Sequence, residues 1–207
     1  MPNRPATVAT ARVTALLQRS IDLKQQVLTT EIPALTAQMA IRCADSIAAG
    51  GKILMCGNGG SAADAQHLAA ELLVRLRPEV NRQGVPALAL ALDTSSMTAC
   101  GNDYSYEVFY ARMTRALGRP GDVLLGITTS GNSPNVIEAM KTARGMGIVT
   151  MGLLGGQGGQ ALPWCDLAIV VPSKETGRIQ EVHITVGHAL MEAIEDLLLD
   201  RGALTRL

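Results

Sequence analysis

Two of the chain's three histidines share a helical run with another metal-binding side chain. His67 and Glu71 lie four apart in GNGGSAADAQHLAAEL (57–72), which puts an imidazole and a carboxylate on one helix face, one turn apart. Gln180 and His188 lie in GRIQEVHITVGHAL (177–190), two turns apart and about 80° around a regular helix axis. Two imidazoles, a carboxylate and an amide oxygen suit a divalent cation, by ligand type zinc. A His/Glu pair at this spacing is in most helices an ordinary surface ion pair. What singles this one out is that it directly follows a glycine-rich loop. His183 stands five residues before His188, cannot share its face well, and reads as structural.

Two loops offer anion chemistry. The first, GNGGS (57–61), follows an apolar run and precedes the helix of His67. Glycines there let backbone N–H groups approach a ligand at a helix N-terminus, where Ser61 is the expected cap and Asp64 complements the dipole. The loop is no dinucleotide fingerprint, because Ala62 stands where the third glycine belongs, and no ribose-binding acid follows at the usual distance beyond Glu79 beside Pro78. It is no P-loop either, since no lysine follows. The second loop, TTSGNSPN (128–135), carries the hydroxyls of Thr128, Thr129, Ser130 and Ser133, then Pro134 suited to a first helical turn. Such a loop can hold a phosphate by dipole and hydrogen bonds without lysine charge.

The elements that must position these loops are legible in the apolar pattern. Runs at 52–56, 86–92, 122–128, 149–154 and 167–172 are the strand candidates. Helical patterns lie between them near 61–77, 95–117, 133–147 and 158–163, with a long one near 178–200. That alternation predicts a parallel sheet covered on both faces, with both loops at its carboxyl edge. Residues 7–49 read as two further helices with no strand between them, able to extend the domain or to mediate self-association. Apolar residues make up 47% and aromatics only 2%, so the core is aliphatic. Acidic and basic residues number 18 each, which gives nucleic-acid binding no support from net charge. Four scattered cysteines without a C-x-x-C pair argue against a cysteine zinc site and for a reducing cytoplasm. No apolar run is long enough to span a bilayer, and the first residues have no signal core.

The segments GNGGSAADAQH with Glu71, GNDYSYE, GDVLLGITTSGNSPNVIEA and RIQEVHITVGH together resemble the phosphoheptose (sedoheptulose 7-phosphate) isomerases of the SIS, or sugar isomerase, domain family, over roughly residues 30–199. The resemblance implies a flavodoxin-like three-layer domain over 1–207: two N-terminal helices (1–50), then an α/β core (51–200) around a five-stranded parallel sheet. It implies a homotetramer with active sites between subunits and one zinc ion per subunit. His67, Glu71, Gln180 and His188 match the family's metal ligands, with Glu71 and His188 as base and acid–base partner. Asn58, Gly59, Gly60 and Ser61 match the first substrate loop and Asn102 with Asp103 a second contact. Glu71 and Gln180 also face substrate. Thr128, Thr129, Ser130 and Ser133 match the phosphate loop, with Thr128 where the family often has serine. The implied reaction converts D-sedoheptulose 7-phosphate to D-glycero-D-manno-heptose 7-phosphate, ahead of nucleotide-activated heptose and lipopolysaccharide. The alternative is a non-catalytic SIS module that binds a partner such as the DnaA initiator, or senses a sugar phosphate. The relative that associates with the initiator lacks the full His/Glu set that this chain carries.

Overall fold

The computed structural model describes residues 4–91 and 93–207. Residues 1–3 and Leu92, the last residue of the expected strand 86–92, lie outside the described residues. Five strands, β1 (Ile53–Gly57), β2 (Ala87–Ala89), β3 (Val123–Thr128), β4 (Val149–Gly155) and β5 (Leu167–Val171), pair in parallel in the order β2-β1-β3-β4-β5. Ile53 lies opposite Val123, and Val123 opposite Val149. Strand order reverses between β1 and β3, so the loops leaving these two strands flank the crevice where ligands of open α/β sheets bind.

Side chains of one strand alternate between two cores. Ile53, Met55, Leu125, Ile127, Met151 and Leu153 face one layer, with α2 (Ile32–Ala48), α3 (Gly60–Leu73) and α7 (Thr176–Asp200). Leu54, Cys56, Leu124 and Leu154 face the other, with α5 (Phe109–Leu117) and α6 (Pro134–Gly145). Both faces are covered, which is why the strands read as continuous apolar runs. The longest of the leading helices, α1 (Arg4–Leu28), sends only Leu23 and Val27 into the first core.

The helix expected over 95–117 is broken. α4 (Thr94–Asp103), capped by the Asp93 side chain on the Ser95 N–H, ends at Tyr104. Ser105 is extended, a 3-10 turn covers 106–108, and α5 begins at Phe109. The break lets two tyrosines reach the end of β1: Tyr110 donates to the Gly57 carbonyl, and Tyr106 donates to Asn58 Oδ1 at 2.8 Å. The short element after β4 is a 3-10 helix, Gly159–Trp164.

Candidate functional site

α3 and α7 bring the candidate metal ligands together from positions 121 residues apart. Their packing depends on a glycine next to His188. A Cβ on Gly187 would lie 2.7 Å from Leu68 Cδ1, so a side chain there would have to displace the Leu68 side chain between α7 and α3. With the helices in contact, His67 Nε2 and His188 Nε2 stand 2.9 Å apart. Glu71 Oε1 lies 3.0 Å from the first and 3.3 Å from the second. The rings meet edge to face.

Glu71 Oε2 is buried and has no hydrogen-bond partner. Three electron-pair donors converging within 4.8 Å, with one buried carboxylate oxygen unsatisfied, fit the donor set of a divalent cation. His67, Glu71 and His188 form the one such cluster among the described residues. Gln180 meets Asp64 and the glycine loop. Its Nε2 donates to Asp64 Oδ2 at 3.3 Å, and it lies so close to the glycine loop that a Cβ on Gly60 would sit 2.3 Å from it. A carboxylate only accepts, so this bond turns the amide and leaves Gln180 Oε1 as the free acceptor. Burial pushes the Asp64 carboxyl up from its ordinary range, while the Gln180 hydrogen bond and the two imidazoles pull it down.

Ser61 does not cap α3. The helix starts one residue earlier, at Gly60, with Gly59 as N-cap at φ 54° and no side-chain cap bond. Ser61 is buried in the first turn, and Asp64 lies beyond it. The positive φ at Gly59 turns the chain sharply from strand to helix, so no serine cap is required.

Asn58, the residue after β1, is engaged by the protein itself. It exchanges reciprocal amide bonds of 2.8 Å with Asn135, and its Oδ1 also accepts from Tyr106. Asn135 is 2% exposed and its Oδ1 takes the Val136 N–H as well. The two loops are thus bolted together by a pair of amides, of which the sequence pointed to Asn58 but not to Asn135. The available signal was an amide in the first turn of a helix whose inward positions are otherwise apolar. Asn102 donates to Asp103 at 2.8 Å at the exposed C-terminal end of α4. Tyr106, a few residues on, is the side chain from this segment that reaches the first loop.

In the second loop Thr128 is buried, with its Oγ1 2.9 Å from Ser133 Oγ and 3.4 Å from Ser130 Oγ. Thr129 and Ser130 line a cavity of about 320 Å³ with Gly155, Gln157, Ser173 and Lys174. The loop is braced from outside by the 3-10 helix: the Ala161 N–H donates to Gly131 O, and the Gln160 N–H to Asn132 Oδ1. Lys174 is a cation at this cavity that the hydroxyl pattern gave no reason to select. His183 faces away from all of this. Its Nε2 lies 3.0 Å from Leu154 O, and burial lowers its pKa to about 4.

A family model described as the SIS domain matches residues 16–155. The phosphoheptose isomerase of Chlorobaculum parvum is 54% identical over 163 residues, 78% of each chain. That of Roseiflexus sp. is 49% identical over 198 residues, 96% of this chain and 99% of its own. The structure of the phosphoheptose isomerase from Neisseria gonorrhoeae superposes with a TM-score of 0.84 at 42% identity, covering 91% of this chain and 99% of that one. On that matched span and that identity, the chain belongs to the SIS domain family, among its phosphoheptose isomerases.

Proposed function

We propose that this chain is an aldose–ketose isomerase that converts D-sedoheptulose 7-phosphate to D-glycero-D-manno-heptose 7-phosphate. The observation that carries the reading is the convergence of His67, Glu71 and His188 beside two loops built for a phosphorylated polyol. The isomerisation moves a proton from C1 to C2 and another between the two oxygens, through an enediol. Glu71 takes the proton from C1 and returns it to C2, while His188 moves the proton between O1 and O2. Asn58, Gly59, Gly60, Ser61, Asn102, Asp103 and Gln180 orient the sugar hydroxyls, the Asn58 side chain with its one remaining N–H. Thr128, Thr129, Ser130 and Ser133 hold the phosphate at the start of α6.

His67, Glu71, His188 and, through its free Oε1, Gln180 are the residues that would hold one zinc ion per subunit. A bound zinc supplies Lewis acidity to the sugar oxygens. A neighbouring cation lowers the basicity of a carboxylate, so Glu71 serves as base to the extent that the imidazoles carry the ion.

The reading extends to a single domain over 1–207, to the head of nucleotide-activated heptose synthesis for lipopolysaccharide, and to a cytoplasmic setting. Four free cysteines agree with that setting. No helix among the described residues is long and apolar enough to cross a membrane. Self-association into a homotetramer accords with an exposed apolar stripe on α1, and with a cluster whose His67 side chain is 52% exposed and open to closure by another subunit. The test is a product assay with sedoheptulose 7-phosphate on protein stripped of metal and then restored with zinc. Aldose phosphate should form, and faster with zinc. A chain that binds no metal and turns nothing over is instead a binding module.

A further inference from the structure

The two helices of the metal cluster are joined a second time, by a buried ion pair that neither loop nor ligand chemistry uses. Arg82 and Glu195 have side chains 0% and 1% exposed, with Arg82 Nε 2.5 Å from Glu195 Oε2. Glu195 lies seven residues after His188 on α7, so it shares the face of His188 about 10 Å along the axis. The other nitrogens of Arg82 go to the end of α3. Nη2 donates to the carbonyl of Glu71 at 2.8 Å, and Nη1 to the carbonyls of Leu72 at 2.7 Å and Gln83 at 2.9 Å. The Glu71 and Leu72 carbonyls lie in the last turn of a helix that stops at Leu73, where carbonyls lack helical partners and a cation is favoured. Glu195 Oε1 is taken by Arg77 Nε at 2.8 Å, so both carboxylate oxygens are held.

We infer that Arg82, locked by Glu195, is a positioning residue for the reaction: it fixes the last turn of α3 against α7 and thereby sets where Glu71 stands relative to His188. The inference rests on the isomerase reading for the roles of those two residues. A buried ion pair is seldom needed for stability alone, because apolar side chains of similar volume often hold a core as well or better. What an apolar pair cannot do is bind two specific backbone carbonyls. The planar fork of an arginine does so, and a lysine ammonium in its place offers no such fork. The backbone that carries Arg82 is itself held: the Val85 N–H donates to Leu72 O at 2.9 Å, and the Gln83 N–H to Thr205 O at 3.1 Å.

The test compares wild type with Arg82→Lys, Glu195→Gln and the double variant Arg82→Met/Glu195→Leu, which keeps the volume and removes both charges. For each, kcat and KM for sedoheptulose 7-phosphate, zinc affinity by chelator competition, and thermal midpoint are measured well below unfolding. In each variant kcat should fall at least about tenfold and zinc affinity should weaken by about ten- to a hundredfold. KM should stay near wild type, because the phosphate loop is untouched. The double variant should show these losses even where its thermal midpoint is unchanged. A folded double variant with wild-type kcat and zinc affinity would overturn the inference and leave Arg82 a packing residue. A wild-type chain without turnover would sink the isomerase reading instead, and zinc affinity would still decide the role of Arg82.

Discussion

Glu71 and His188 meet at 3.3 Å with a shared neighbour in His67, and the chemistry is assigned to those side chains. Glu71→Gln keeps the shape and removes the proposed base; His188→Ala removes its proposed partner. Each should lower kcat at least about a hundredfold with the fold intact, in line with loss of acid–base help. Near-wild-type turnover in either folded variant would strike that residue from the mechanism. The His67–Glu71 pairing was legible because a helix enforces the four-residue spacing. The Asn58–Asn135 and Asn58–Tyr106 contacts were not, since they join residues 77 and 48 apart that only the tertiary fold brings together. Gln180 was legible as a polar group aimed at this region. Its hydrogen bond to Asp64 was not, because nothing in a sequence orients an amide.

At the scale of the elements, α7 does two jobs on two faces. One presents His188 to α3, and the other buries His183 against β4. His183 ties stability to acid. Its imidazole has a pKa near 4 in the fold and about 6.5 in an unfolded chain. Well above pH 6.5 neither state is protonated and the residue contributes no pH dependence. Between pH 6.5 and 4 the unfolded chain binds a proton that the fold refuses, so stability falls as pH drops. The loss between pH 6.5 and 5 is about 2 kcal/mol, and it levels off below 4. Urea unfolding at pH 7 and pH 5 should show this difference in wild type and a smaller one in His183→Leu; equal pH sensitivity in both would refute it. The apolar alternation gave four of the five strands to within a residue at either end, because buried parallel strands are apolar throughout. The break between α4 and α5 escaped that pattern. It coincides with Tyr106 and Tyr110 reaching back to the end of β1, a tertiary contact that periodicity does not show.

At the scale of the molecule, α1 is the element left without a full partner. Val8, Val13, Leu17, Ile21 and Leu28 are each at least 49% exposed. An apolar groove of about 480 Å³ opens nearby, where Val27 and Leu28 meet Ile32, Val182 and Val186. A stripe of this kind marks an interaction surface, and the proposed homotetramer would cover it with other copies of the chain. Light scattering should give the mass of four chains, and Val13→Glu/Leu17→Glu should reduce it; a wild-type monomer would contradict the assembly. The two leading helices and their spare apolar face were readable from periodicity, but what covers that face was not. One last consequence follows from the short 3-10 helix that braces the hydroxyl loop. It ends in Trp164, the only tryptophan of the chain, whose ring stands 5.3 Å from Lys141 Nζ. The protein therefore carries a built-in optical reporter on the helix that braces the hydroxyl loop, at its far end, where Trp164 O accepts from Thr150 near the start of β4. Its emission should change on titration with inorganic phosphate, saturably and without any label, and a Ser133→Ala variant should blunt the response. An indole whose fluorescence ignored phosphate would show that the brace does not feel what the loop binds.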